Sequence, residues 1–208
     1  MSATAFGAER DQNYPFLSEI AEIRRRARQH IADGAVTVNN AVDRDVVLRL
    51  LNEALATELV CVLRYRRHYF VATGSVAESV KDEFLKHSQE EQSHADQIAE
   101  RIVQLGGAPN LNPEGMVDRN HSEYPEGETL ADMIEEDLIA EHIAIGSYRE
   151  IIQYLADKDT TTRRLFESIL AVEEQHAEEL ASMRQDILRK DRSITDTKRA
   201  VNSTGELQ

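Results

Sequence analysis

From residue 43 the apolar positions settle into helical steps, with Val47, Leu50, Leu51, Ala54, Leu55, Leu59 and Val62 recurring at intervals of three and four, the period of one helix face. Asp43 stands at a capping position, and the helix it opens is predicted to end near Gly74. Ser75 with Glu78 is a capping-box signal and Gly106-Gly107 with Pro109 a stop signal, so a second helix is predicted over residues 76–105. Residues 107–128 carry Pro109, Asn110, Asn112, Pro113, Gly115, Pro125 and Gly127 and read as a long loop. Residues 129–155 and 159–189 read as a third and a fourth helix, with Asp159 as the cap of the latter. Short, long and short connections predict an all-α four-helix bundle, two antiparallel hairpins joined by a long crossover. Ahead of the bundle, residues 1–42 form an N-terminal extension with one short helix candidate over 17–32. Behind it, residues 190–208 are polar, lack an apolar face and are expected to form an extended or oligomer-bound tail.

Composition narrows the class. With 208 residues, 41% hydrophobic and 30% charged, and only 4 Pro and 9 Gly, the chain suits one helical globular domain with tails. It has no apolar run of the roughly 20 residues a membrane crossing needs. The opening MSATAFGAERDQNYPF lacks the basic start and apolar stretch of a secretory signal. A cytoplasmic protein without membrane association is expected. Cys61 is the only cysteine, which excludes an intrachain disulfide, a zinc ribbon and a rubredoxin-type site, and it is expected to be a buried small residue. A formal net charge of −14 opposes binding to a phosphate backbone and favours cations. Arg24, Arg25, Arg26 and Arg28, and Lys190, Arg192, Lys198 and Arg199 in the tail, are therefore expected to be solvated or salt-bridged and not DNA-binding arms.

The informative feature is an echo between the two hairpins: TELVCVLRY then EQSHA in the first, AEHIAIGSY then EEQHA in the second. In each, a glutamate (Glu58, Glu141) sits mid-helix, a tyrosine (Tyr65, Tyr148) follows seven residues later, and a Glu-x-x-His pair (Glu91 and His94, Glu173 and His176) appears on the next helix. The glutamate-to-glutamate steps are 33 and 32 residues. A step of three keeps Glu and His on one face, one turn apart, where both can reach one metal. A step of seven places each tyrosine on its glutamate's face, about 10 Å along the axis. There it has the choice of a hydrogen bond to the ligands, a role as electron donor, or plain packing. Four glutamates in a bundle core repel one another, and two divalent cations cancel their charge. With one imidazole for each metal, this donor set suits iron, or manganese as the alternative, better than a closed structural zinc site. One Glu-x-x-His is commonly a solvated pair; two, each preceded at nearly equal distance by a glutamate in an apolar stretch, are not. His68 and His142 lie off the ligand stripe and are expected at the surface or between subunits, while His30, His87 and His121 fit no pattern.

These residues resemble the ferritin-like di-iron superfamily, most closely its bacterioferritin and Dps-like branches, over residues 43–189, including LNEALATELV, RIVQLGGAPNL, DLIAEHIAIGSYREII and ILAVEEQHAEEL. The resemblance implies a ferritin-like bundle with a ferroxidase centre in which Glu91 and Glu173 bridge two irons, Glu58 and His94 complete one, and Glu141 and His176 complete the other. It also implies oxidation of Fe(II) by O2 or H2O2 and storage of ferric mineral in a homo-oligomeric shell. In bacterioferritins a methionine just after the first Glu-x-x-His glutamate holds haem; here Gln92 stands there, so haem is not expected. No short apolar fifth helix follows Arg189 and the crossover is long, which favours a Dps-like shell of 12 subunits over 24. Dps cages, however, set their iron ligands between subunits, whereas this motif resembles a centre within one subunit. Two rival readings are a di-iron or di-manganese protein that consumes peroxide, as a peroxidase or catalase does, and a non-enzymatic, metal-stabilised structural bundle.

Overall fold

A computed structural model describes residues 20–29, 31, 43–74 and 77–205, with side chains as far as Lys190. The chain divides into two compact units, Met1–Val38 and Asn39–Gln208. In the first, helix α1 (Ile20–Gln29) buries none of its residues and carries a local Arg25–Glu22 ion pair at 2.6 Å, worth little in water. The ends of the predicted helix, residues 17–19, 30 and 32, lie outside the described residues.

The second unit holds α2 (Arg44–Val71), α3 (Ala77–Gln104), the one-turn α4 (Met116–Arg119), α5 (Leu130–Leu155) and α6 (Thr160–Gly205). Asp43 caps α2, its carboxylate accepting from the Asp45 amide at 3.0 Å. The Ser75 signal falls outside the described residues, but the stop of α3 is clear. Gly106 adopts φ 72°, its amide donates to Val103 O and the Gly107 amide to Ile102 O, and together these tie off the last free carbonyls of the helix. Gly107 also lies against Leu48, whose Cδ2 would be 2.6 Å from an added Cβ. Thr129 and Asp132 form a reciprocal capping box at the start of α5, and the Thr162 amide donates to Asp159 at 3.0 Å at the start of α6.

Helix α6 runs past Arg189 to Gly205, so residues 190–205 are helical, where an extended or oligomer-bound tail is the expectation from the sequence. The segment contains no Pro and no Gly before Gly205, so nothing breaks the backbone ladder. Among the described residues no helix is long and apolar enough to cross a membrane.

Helix α2 packs along α3 and α5 along α6, with further contacts between α2 and α5 and between α3 and α6. The core falls into two apolar clusters at different levels of the bundle. One gathers Leu51, Leu55, Ile98, Ile102, Tyr148, Leu155, Phe166 and Ile169; the other gathers Cys61, Tyr65, Val80, Phe84, Met133, Ile134, Ala140 and Leu180. On each long helix the switch from one cluster to the other brackets a predicted ligand position: Glu58 on α2, Glu91 and His94 on α3, Glu141 on α5, Glu173 and His176 on α6.

The crossover is strapped to α2. The Asn110 amide donates to Asn52 Oδ1 at 2.7 Å and the His121 amide to Thr57 Oγ1 at 2.9 Å. Arg64, fully buried, donates to Asp137 Oδ1 on α5 at 2.9 Å and to the Glu123 carbonyl at 2.8 Å. His68 is also fully buried, which corrects its expected surface position. Its Nδ1 lies 2.8 Å from Asp137 Oδ2 and its Nε2 3.0 Å from the Glu126 carbonyl. Asp137 is the only carboxylate bonded to Arg64 among the described residues, so Asp137→Ala strands a buried guanidinium. The expected loss is about 3–5 kcal/mol of stability, read from a denaturant melt of the metal-free protein; a variant as stable as the parent would contradict this role.

Candidate metal centre

Between the two apolar clusters the four long helices converge six side chains, and all six are the predicted ones. Glu58, Glu91, Glu141, Glu173 and His176 are 0–1% exposed and His94 5%. They form two overlapping sets, each with ligand atoms within 4.8 Å of one another: Glu58, Glu91, His94 and Glu173, and Glu91, Glu141, Glu173 and His176. Glu91 and Glu173 belong to both. His94 turns Nδ1 inward, 3.1 Å from Glu173, 3.3 Å from Glu91 and 3.5 Å from Glu58. His176 does the same, with Nδ1 3.1 Å from Glu91, 3.3 Å from Glu173 and 3.9 Å from Glu141.

The electrostatics follow from four acids in one dry layer. Burial and the Glu91 charge push Glu58 up to about 8, and burial with the charges of Glu91 and Glu173 pushes Glu141 well above the usual carboxylate range. Glu91 goes the other way: burial and Glu173 oppose its charge, but hydrogen bonds with Glu58, His176 and His94 outweigh them and hold it low. Burial also opposes charge on the two imidazoles, yet bonds to the surrounding glutamates prevail, raising His176 to about 11 and His94 well above the ordinary histidine range. Without metal, protons therefore supply the positive charge this layer needs.

That substitution is incomplete at one residue. Both Glu173 oxygens are buried with no hydrogen-bond partner among the described residues, although two imidazole nitrogens stand at 3.1 and 3.3 Å; they lie off the donor axis. An orphaned buried carboxylate is costly, and a cation on each side of it removes the penalty. The residues present thus fit two divalent metal ions: four carboxylates, two imidazoles and no thiolate, a donor set suited to iron or manganese.

The surroundings hold what the sequence did not disclose. Tyr65 and Tyr148 reach across the bundle: the Tyr65 hydroxyl donates to Glu141 and the Tyr148 hydroxyl to Glu58. Each tyrosine thus serves the other hairpin's glutamate. Burial and the adjacent carboxylates hold both phenols well above their usual range, so both remain donors. His176 Nε2 faces outward to Glu90 Oε2 at 2.8 Å, which settles which nitrogen faces inward. His87 is fully buried and stacks on His176, ring centroids 4.0 Å apart. Neither Glu90 nor His87 had a sequence signal beyond lying one to four residues before Glu91. His142 is exposed as expected, and Cys61 is buried.

Comparison with known proteins agrees with this architecture. Residues 48–190 match the ferritin-like domain family. Bacterioferritins of Rhodobacter capsulatus and Mycobacterium avium are each 33% identical to this chain, over 133 and 135 residues, which is 64% of this chain and 78% and 80% of theirs. A dodecameric thioferritin of Bacteroides fragilis, a bacterioferritin-related protein, superposes with a TM-score of 0.70 at 31% identity, covering 73% of this chain and 92% of that one. Dps of Thermosynechococcus elongatus shares the fold with a TM-score of 0.64 at 21% identity, over 67% of this chain and 90% of that one. A bundle of this topology with this sequence over most of its length belongs to the ferritin-like family.

Proposed function

We propose that the chain is a ferroxidase that oxidises Fe(II) with O2 or H2O2 at a centre built by Glu58, Glu91, His94, Glu141, Glu173 and His176, and that it stores the ferric product in a homo-oligomeric shell. The observation that carries this reading is the pair of donor sets that share Glu91 and Glu173 in one buried layer, with no aligned hydrogen bond to the Glu173 oxygens among the described residues. Relatives named bacterioferritin at 33% identity support iron as the metal. The dodecameric relative at 31% identity supports a shell of 12 subunits, and Gln92 in place of a methionine supports a protein without haem, although the Rhodobacter capsulatus bacterioferritin structure contains haem iron.

Bound as substrate, two ferrous ions supply the two electrons; with O2 the pair and two protons yield H2O2, and with H2O2 they yield two waters. The chain does the rest. Glu91 and Glu173 hold the two positions together, and each imidazole and terminal glutamate completes one side. The Tyr148 hydroxyl holds Glu58 Oε1, leaving Oε2 toward His94 for the cation, and the Tyr65 hydroxyl holds Glu141 Oε1, the oxygen that also faces His176. The apolar clusters above and below exclude bulk water, so charge changes are met by fixed dipoles and carboxylate shifts. Glu90, half exposed and bonded to His176, gives protons displaced from the centre a partner at the surface.

Anaerobic titration of the metal-free protein with Fe(II) should saturate at two ions per chain in this centre, with rapid oxidation once oxidant is added. Glu173→Ala should lose that stoichiometry and drop oxidation to the solution background. A peroxide-consuming centre would instead release oxygen with no net iron oxidised, and a structural bundle would lose assembly with no rate to lose. Tyr148→Phe and Tyr65→Phe should each cost about 10-fold in metal affinity or rate, measured by stopped-flow absorbance, while the fold persists; unchanged kinetics in both would remove the tyrosines from the mechanism.

The raised groups also set a pH dependence. Glu58 at about 8 against 4.5, and His176 at about 11 against 6.5, bind protons in the folded state that the unfolded chain releases. Their contribution is complete below the unfolded values and is lost as pH rises through 8 and on toward 11. The Tm of the metal-free protein should therefore fall between about pH 6 and pH 9, and metal affinity should rise over the same window as the protons are displaced. Scanning calorimetry with and without metal checks both signs; a metal-free Tm that climbs with pH would contradict the assignment.

A further inference from the structure

We propose that the two metal positions of the centre are unequal: Glu90 and His87 act as positioning residues for His176, so the Glu141–His176 position fills first and keeps its ion, while the Glu58–His94 position exchanges. This rests on the metal reading of the centre and concerns which half of it binds more tightly. The six ligands alone would build two like positions, one in each half of the echo. Their neighbours break the likeness. Aligning Glu91 with Glu173 sets Glu90 against Val172 and His87 against Ile169, so the two residues that attend His176 have apolar counterparts in the other half.

His176 is fixed from two directions. Its Nε2 lies 2.8 Å from Glu90 Oε2 on α3, and its ring lies nearly flat on that of His87, with centroids 4.0 Å apart and planes 22° from parallel. His87 is itself held, its Nε2 standing 2.9 Å from Glu179 Oε2. The His176 side chain is 1% exposed. His94 has neither support. Its contacts with Glu58, Glu91 and Glu173 are all made by Nδ1, and no described residue bonds to its Nε2. Its side chain keeps 6% exposure, and Nε2 is not among the buried polar atoms that lack a partner, so this nitrogen is open to solvent. Ile169, the counterpart of His87, belongs to the apolar core.

A carboxylate that accepts from the outer N–H of a ligating imidazole fixes the ring and makes the inner nitrogen a better donor, and losing such a partner typically costs about 10–100-fold in metal affinity. Glu90 supplies this to His176, and the stacked ring of His87 limits rotation away from the ion. At His94 the outer N–H meets solvent, and the ring must be ordered by the ion itself. Because oxidation takes one electron from each of two ferrous ions, a chain holding a single ion waits for the second. The weaker Glu58–His94 position therefore sets the iron concentration at which the centre turns over, and ions enter and leave there.

The probe is Co(II), titrated anaerobically into the full-length metal-free protein and followed by calorimetry and visible absorption, with anomalous diffraction from crystals soaked at one equivalent per chain. Wild type should bind in two separate steps, and the first anomalous peak should lie between Glu141 and His176. Glu90→Gln keeps the size of the side chain and removes its charge; it should weaken the first step about 10-fold and leave the second in place. Val172→Glu, which brings a carboxylate to the matching position beside His94, should tighten the second step until the two merge, a gain that a folding defect cannot mimic. Two equal steps in wild type, a first peak between Glu58 and His94, or a Glu90→Gln variant with both steps unmoved would overturn the proposal and leave the centre standing. A chain that binds no Co(II) among the six ligands would instead remove the centre itself.

Discussion

Mutual repulsion among four carboxylates in one buried layer is the constraint on which the rest of this molecule depends. Glu58, Glu91, Glu141 and Glu173 lie in the dry middle of the bundle, where unpaired negative charge is far more costly than at the surface. The metal-free fold answers with protons on His94 and His176 and a raised Glu58 and Glu141. It answers imperfectly at Glu173, which has the two imidazole nitrogens at 3.1 and 3.3 Å but no aligned hydrogen bond among the described residues. Two cations would answer it fully.

A layer of that kind must be held by what lies above and below. The two apolar clusters carry the folding energy, and each long helix passes from one to the other across the ligand level. Hydrophobic burial is non-directional, so the register of the helices is further specified by directed bonds. Tyr65 and Tyr148 cross between hairpins at the level of the centre. Arg64, His68 and Asp137 join α2, the crossover and α5 beside it. Arg101 joins α3 to the start of α6 through Thr162 and Asp159.

The polar residues around the centre divide by what they face. Tyrosines, confined and held protonated, act on the terminal glutamates. Glu90 bonds to the outward nitrogen of His176, and His87 stacks on the same ring and meets Glu179 beyond it.

The six side chains that the structure brings together were legible in the amino-acid sequence because helix geometry is local: a three-residue step puts Glu and His on one face whatever the rest of the chain does. The near-equal spacing in the two halves made the pairing of hairpins legible too. Asp43 and Asp159 as caps and Gly106-Gly107 as a stop follow from backbone groups that need partners at helix ends. What distance in sequence conceals, only packing decided. Tyr65 and Tyr148 share a face with their own glutamates by periodicity, yet each bonds to the glutamate of the other hairpin, because hydroxyls some 10 Å along one helix meet the neighbouring helix and not their own. The burial of His68 and of His87 was not legible because their partners, Asp137 and the Glu126 carbonyl for one, His176 and Glu179 for the other, lie 58–92 residues away. Sequence periodicity determined which residues share a helix face; tertiary structure alone decided which faces meet, since that rests on contacts between elements that no local spacing encodes.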